Sequence, residues 1–297
     1  MKHRNCPGIA RLLIIAALIV LFAPEEASSD DPEAVLEVGV LPYLNLKALF
    51  EAYGPLIDHL DANVDKPVRL VTARDYPHLL ELTAEKAYPL LITGSHFARK
   101  AQLETGYEPI LRPLTSYREM VLVPEDSPIA AMCELRGEIA VPSRFAQTTM
   151  MGLATLSDHG ACFGSKIEPV SAGGHVNAIH TALQGEAAAA IVSEGAYRHM
   201  DNELRSRVRV LEPDRSRVER VERGIPVIFT VSPDISSKRA EFYQETIADF
   251  ANNHPEGRAW IDNLGYEGLR PPSAEEMASL DRHVEQLQLI MDSLEDD

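Results

Sequence analysis

From Val35 onward the chain alternates short apolar, β-rich runs with stretches whose apolar residues recur at helical spacing, and this alternation constrains the fold most tightly. "VLEVGVLPYLN" is a β-rich run broken by Pro42. The stretch that follows, "LKALFEAYGPLIDHLDANV", sets Leu46, Leu49, Phe50, Tyr53, Leu56, Ile57 and Leu60 on helical spacing. "KPVRLVTA" reads as a second strand. "DYPHLLELTAEKAYP" reads as a helix capped by Asp75 with Pro77 in its first turn, and "LLITGSHFARKAQLETGY" as a buried strand, a glycine turn and a helix. Strand and helix in regular exchange are the signature of a parallel sheet covered on both faces.

After "EPILRPLTSYREMVLVPEDSP" the pattern restarts. "LRGEIAVP" is a strand, "SRFAQTTMMGLATLSDHG" a loop and helix, "KIEPVSA" a strand, and "GGHVNAIHTALQGEAAAAIVSEG" a helix followed by a small apolar strand that stops at Ser193 and Glu194. A further strand lies in "RGIPVIFTVSP", and the tail from Ser237 is helical, with "AEFYQETIADFANN" and "SAEEMASLDRHVEQLQLIMDSL" both amphipathic. The expected organisation is α/β in two lobes: residues 34–118 begin the first lobe, 119–223 form the second, and 224–297 return to the first. Two connections, around Tyr117 to Val121 and Gly224 to Ile228, form the hinge. The charged run "RVLEPDRSRVERVERG" reads as a solvated face or exposed connection, and Met150 and Met151 as core filling.

Residues 1–29 read as a secretory signal peptide. Lys2, Arg4 and Arg11 precede an apolar run of about a dozen residues from Leu12 to Ala23, well short of the roughly 20 that span a bilayer. A periplasmic location follows. The formal net charge is −17, and removal of the leader near Ala27 leaves about −18, which argues against nucleic acid and anionic membranes as partners. Cys6 lies before the apolar run, where a lipid anchor does not attach. Cys133 and Cys162 are the remaining thiols, and in an exported chain they can form one disulfide, closing a loop of about 30 residues.

In open α/β sheets ligands bind where loops and helix N-termini follow the carboxyl ends of strands. Two such lobes face to face make a closable cleft with a definite lining: Tyr43, then Thr93-Gly94-Ser95-His96, Gln147-Thr148-Thr149, Gly173-Gly174-His175, and Ser193-Glu194. Thr148 and Thr149 also suit helix capping, and His175 suits a helix start. Amides left free at a helix start are themselves anion donors.

Between about Leu36 and Gly268 the chain resembles the phosphate, phosphite and phosphonate periplasmic binding proteins of ABC importers, within the two-lobed type II solute-binding fold. The segments that carry the likeness are "VGVLPYLNLKALFEAYGPLIDHLD", "LLITGSHFARKAQLETGYEPI", "ELRGEIAVP", "GGHVNAIHTALQGEAAAAIV" and, more weakly, "IADFANNHPEGRAWIDNLGY". The resemblance implies an anion held by helix amides, a Ser/Thr loop, aromatic hydroxyls, a histidine and an acidic residue. The Ser/Thr loop falls on Ala146-Gln147-Thr148-Thr149 in altered form, and the histidine falls on His175. The acid falls on Ser193 with Glu194 beside it, and Thr93 replaces the aromatic hydroxyl before Gly94.

Enzyme motifs are missing: the chain contains no Gly-x-Ser-x-Gly, His-Glu-x-x-His, Cys-x-x-Cys or phosphate-cradling Gly-Lys-Ser sequence. His175 and His180 are five apart, on different faces of a helix. The expected function is therefore capture of a small oxyanion or phosphonate for a membrane permease, by a monomer without cofactor. The alternative is a periplasmic sensor of an oxyanion or arsenite that signals to a membrane histidine kinase; arsenite calls for thiolates, and neither cysteine lies on the cleft loops. An extracytoplasmic enzyme on the same fold is the third reading.

Overall fold

A computed structural model describes residues 35–158, 167–212 and 224–295. In chain order its first elements are β1 (Leu36–Val40), α1 (Leu46–Asn63), β2 (Val68–Thr72), α2 (Tyr76–Ala84), β3 (Leu90–Thr93), α3 (Ser95–Thr105) and β4 (Glu108–Pro113). There follow β5 (Glu119–Pro124), β6 (Gly137–Val141), α4 (Gln147–Asp158), β7 (Ile167–Ser171), α5 (His175–Leu183), β8 (Ala189–Ser193), α6 (Glu194–His199), α7 (Asn202–Arg205) and β9 (Val208–Val210). The last are β10 (Ile228–Val231), α8 (Ser237–Asn253), α9 (Pro255–Asn263), β11 (Leu269–Arg270), α10 (Ala274–Ala278) and α11 (Asp281–Glu295).

The strands form two sheets. The first has six strands in the order β11-β4-β10-β3-β1-β2, the second five in the order β7-β6-β8-β5-β9. β1 lies between β3 and the edge strand β2 and pairs in parallel with both. It is buried at Leu36, Val38, Gly39 and Val40, and a Cβ on Gly39 would lie 2.5 Å from the Tyr88 ring, so no side chain fits there. The side chain of Asn45 caps α1 by accepting from Ala48 N–H at 3.0 Å. Of the apolar stripe expected on α1, Leu49, Tyr53, Leu56 and Leu60 are buried, whereas Leu46 and Phe50 stay 58% and 48% exposed. Asp75 caps α2 at 2.8 Å, with Pro77 in the first turn.

In the second sheet, period-two alternation divides the core between two faces. Ala190 and Val192 of β8 pack with Ala178, Ile179 and Ala182 of α5. Ala189 and Ile191 face the other way, with Leu156 of α4. A Cβ on Gly152 would lie 2.4 Å from Ile191, so α4 comes down onto the sheet at a residue without a side chain.

The sheets are not purely parallel, which corrects the sequence expectation. β10 runs antiparallel to β3 and β4, and β5 antiparallel to β8 and β9. The reason is the crossing: a strand that enters a sheet directly from the other half has no crossover helix to turn it back. Where the two connections pass, Tyr117 and Gly224 exchange backbone hydrogen bonds at 3.0 and 2.8 Å. β9, which overlaps the start of the run read as a charged connection, and the two-residue β11 were both unforeseen; residues 213–223 of that run lie outside the described residues. Met150 and Met151 are buried as expected. Cys133 is exposed on the turn before β6, and its suggested partner Cys162 lies outside the described residues, as do residues 1–34.

Candidate ligand cleft

β1, β2 and β3 share one direction, so their carboxyl ends deliver Tyr43, Tyr76 and the start of α3 to one edge of the first sheet. By the same logic β6, β7 and β8 deliver the starts of α4, α5 and α6 to one edge of the second. These edges are joined by direct contacts. Ser95, the first residue of α3, donates its hydroxyl to Oε1 of Gln147, the first residue of α4, at 2.8 Å. Tyr117 at the crossing donates to the same oxygen at 3.1 Å, and Gln147 Nε2 reaches Nδ1 of His283 on α11 at 3.3 Å. Next to them His96 Nε2 bonds the Phe145 carbonyl at 2.8 Å. Phe145 and Met150 accordingly belong to the same apolar core as β1, β3 and α1.

Gln147 is 4% exposed and spends both ends of its amide on protein partners. Thr149 donates its hydroxyl to the Ser143 carbonyl at 2.7 Å, bracing the loop that leads into α4. Thr148 is buried beside Tyr117, with which it hydrogen-bonds. Thr93 is fully buried, and its Oγ1 has no partner among the described residues; the same holds for Nδ1 of His96, which is 2% exposed. Burial holds the His96 imidazole down at about 3, against the raising effect of its Phe145 bond, so the ring is neutral.

On the second sheet's edge His175 begins α5 after Gly173, whose φ of 78° favours glycine. His175 Nδ1 faces Ser193 N–H at 3.4 Å, and burial lowers its pKa to about 4. The Ser193 hydroxyl caps α6 by accepting from Ala196 N–H at 3.2 Å. Glu194 pairs with Arg198 at 2.8 Å and Arg118 at 3.7 Å, so its carboxylate is already neutralised by two guanidinium groups. Close by, burial raises the pKa of Glu119, which accepts from Thr155 at 2.5 Å.

Sequence reasoning named Tyr43 for the cleft, gave Tyr117 only as a hinge residue, and missed Tyr76 and Tyr266. Tyr43, whose hydroxyl lies 3.2 Å from that of Tyr53, is close enough to Tyr76 and Tyr266 to interact electrostatically, and Tyr117 to Tyr76 and Tyr266. Burial pushes Tyr76 up to about 12 and raises the other three, so all four keep their protons as donors. Tyr76 had a signal, since it follows the Asp75 cap at a strand's carboxyl end; Tyr266, more than 140 residues on, had none.

Among the described residues no group of three or more His, Cys, Asp or Glu is placed to hold a metal, and no helix is long and apolar enough to cross a membrane. A groove of about 520 Å³ runs along the flanks of α2, α3 and α11, and none of the candidate residues lines it.

Two mixed α/β sheets joined by two crossings, with helix N-termini gathered at their facing edges, define the two-lobed solute-binding class with the type II periplasmic binding fold. Residues 38–277 match the sequence model of the family described as "ABC transporter, phosphonate, periplasmic substrate-binding protein", and the chain belongs to that family. The family is a periplasmic, transport class and not a class of enzymes. Solved structures of similar fold include PhnD1 from Prochlorococcus marinus in complex with methylphosphonate (13% identity, 87% of this chain and 99% of that one, TM-score 0.70). The protein XAC2383 from Xanthomonas citri bound to ATP is also similar (15%, 88% and 99%, 0.69). So is the aliphatic sulphonate binding protein SsuA from Escherichia coli (17%, 87% and 87%, 0.58).

Proposed function

We propose that this chain is a periplasmic solute-binding protein that captures a small oxyanion, a phosphonate foremost, between its two lobes and presents it to the permease of an ABC importer. The observation that carries the reading is the meeting of the α3 and α4 N-termini beside two buried polar atoms without a partner among the described residues, Thr93 Oγ1 and His96 Nδ1. The first-turn amides of both helices lie ahead of the intrahelical ladder, which in α3 starts with Ala98 N–H to the Gly94 carbonyl, and they suit an anion. Tyr43, Tyr76 and Tyr266 add neutral hydroxyls and His175 a donor, while Tyr117 spends its proton on Gln147. Thr148, Thr149, Ser95, Ser193 and Glu194 shape the wall, and Gln147 ties the lobes together. In this reading residues 1–29 are the export signal, residues 34–118 and 224–297 form one lobe and 119–223 the other. The protein acts as a monomer and performs no covalent chemistry.

Binding of methylphosphonate by PhnD1 supports a phosphonate over the ATP and sulphonate bound by other proteins of this fold, because PhnD1 and this chain both fall to the phosphonate type. Arsenite gains nothing: Cys133 stands ahead of the amino end of β6, the edge opposite the cleft. A thermal-shift screen with phosphate, phosphite, methylphosphonate, arsenate, arsenite, sulfate and amino acids tests the reading. A ligand at 100 times its Kd stabilises by about 2.7 kcal/mol, and the expected hits are phosphorus oxyanions. Stabilisation by an amino acid alone would overturn it.

A further inference from the structure

The groove along α2, α3 and α11 lies outside the cleft and has a lining of its own. Its volume of about 520 Å³ falls within the range of small-molecule sites, about 300–1,000 Å³. Leu80, Phe97, Ala101, Phe145 and Met291 make the lining mainly apolar, and Phe97, Ala101 and Phe145 are themselves buried. Phe97 and Ala101 are four apart on α3, one above the other on the same face, with Leu80 from α2 and Met291 from α11.

One buried charge interrupts this apolar wall. Lys100 is 9% exposed, and its ammonium donates to Glu104 Oε1 at 2.5 Å and to Gln288 Oε1 at 2.9 Å. Both acceptors line the groove, which puts the ammonium at its surface. An ammonium carries three N–H donors. Two are in use, and the third has no partner among the described residues. A buried donor left without an acceptor is costly, so a guest with one accepting oxygen is favoured over a wholly apolar one. Charge narrows the choice further. Glu104 already balances Lys100, and a second carboxylate on the lining, Glu81, has a side chain 62% exposed at the rim. An anionic guest would meet two carboxylates for one ammonium, and a cationic guest would meet the buried ammonium itself. An uncharged guest meets neither penalty.

We infer that the groove is a second binding site, separate from the cleft, for a small uncharged molecule with a largely apolar body and one carbonyl or ether oxygen. The oxygen accepts from Lys100, and the body covers Leu80, Phe97 and Met291. None of the residues assigned to the cleft takes part, so the site stands or falls independently of the oxyanion reading.

The test uses the full chain and the uncharged naphthyl ketone prodan, whose emission shifts to the blue when it leaves water. Titration is expected to show saturable binding of one prodan per chain. Ala84 lines the groove from an exposed position on α2, so Ala84→Trp fills the groove without burdening the core and should weaken prodan at least tenfold. Lys100→Met keeps the apolar stem and removes the donor, and is expected to weaken prodan about threefold or more. Displacement decides the class of guest: acetonaphthone should displace prodan at a concentration at least tenfold lower than naphthoate, which has nearly the same shape and carries a charge. If Lys100→Met does not fold, that ratio in the wild type still decides the class. Absence of saturable binding, or binding that Ala84→Trp leaves unchanged, overturns the site. Displacement by naphthoate as readily as by acetonaphthone overturns the uncharged guest, and an unaltered affinity in Lys100→Met overturns the part given to the ammonium.

Discussion

Ser95 and Gln147, 52 residues apart, are the first residues of two helices on different sheets, and the hydroxyl of one bonds the amide oxygen of the other at 2.8 Å. Gln147 is therefore a tie between the lobes. The variant Gln147→Ala strands the Ser95 and Tyr117 hydroxyls and removes a donor to His283, so stability is expected to fall by about 2–3 kcal/mol. Urea unfolding measures the loss. Small-angle scattering without ligand should show a larger radius of gyration, because the contact that joins α3 to α4 has gone; an unchanged radius with unchanged stability refutes the tie.

Acid should destabilise the protein early. His96, His175 and His283 have pKa values near 3, 4 and 4, in each case chiefly because burial disfavours the charged ring. All lie below the ordinary 6.5, so from about pH 6.5 downward the unfolded chain binds protons that the folded chain refuses, and stability falls as pH falls. Each ring contributes a slope of at most about 1.4 kcal/mol per pH unit. Glu276, held at about 2 mainly by its hydrogen bond from Arg270, keeps its contribution through this window. Urea midpoints between pH 7 and 5 should drop steeply, and His283→Gln should flatten the slope by about a third.

Much of the fold was legible because its signals are local. Asp75 followed by Pro77 marks the start of α2 in three letters, and the apolar run that stops at Ser193 marks the end of β8 at the cleft edge. Strand direction was not legible for β5 and β10, because it is set by the crossing at Tyr117 and Gly224, a contact between distant segments. Val208 to Val210 were lost in a charged run because three residues are too few to show alternation. The same limit applies to the site. Residues at strand ends, such as Thr93 and His175, follow from topology, but Tyr76, Tyr117 and Tyr266 come together only through tertiary packing. Nothing in the sequence says that Gln147 meets Ser95 and His283, or that Glu194 is already paired with Arg118 and Arg198.

Glu276 holds the tail to the first sheet. It accepts from Arg112, whose side chain is 7% exposed, at 2.7 Å, and also pairs with Arg270, while its own carboxylate reaches back to Ser273 N–H at 2.9 Å. Glu276→Gln leaves the buried Arg112 guanidinium without its counter-charge, and a loss of about 2–3 kcal/mol is expected, discounted for the partial exposure of Glu276. Hydrogen exchange should quicken across α10 more than across α8. Replacing Arg270 alone, on the exposed side of the pair, should cost under about 1 kcal/mol.

Gly224 has no room for a side chain. A Cβ there would lie 2.7 Å from the Tyr117 ring and 2.9 Å from Met151 Sδ, at the point where the two crossings bond each other. Gly224→Ala is expected to cost about 1–3 kcal/mol by overpacking and to displace Tyr117 from Gln147. Gly195, with open space around its would-be Cβ, is the matched control, and Gly195→Ala should leave both stability and ligand affinity nearly unchanged.

His175 is the residue whose removal bears most directly on binding. With Nδ1 turned to Ser193 N–H, its Nε2–H is left to donate, and a neutral donor at a helix start strengthens an anion without the cost of burying a second charge. His175→Ala is expected to weaken methylphosphonate at least tenfold, or about 1.4 kcal/mol, by calorimetry. The loss of the 3.4 Å bond to Ser193 should cost no more than about 1 kcal/mol of stability, so the two effects separate in size. Because the ring is already neutral well below pH 7, wild-type affinity between pH 7 and 6 should not follow an imidazole titration once the ligand's own ionisation is accounted for. An affinity that rises with a midpoint near 6.5 would mean that His175 binds as a cation, with the donor and the Ser193 contact assigned the wrong way round.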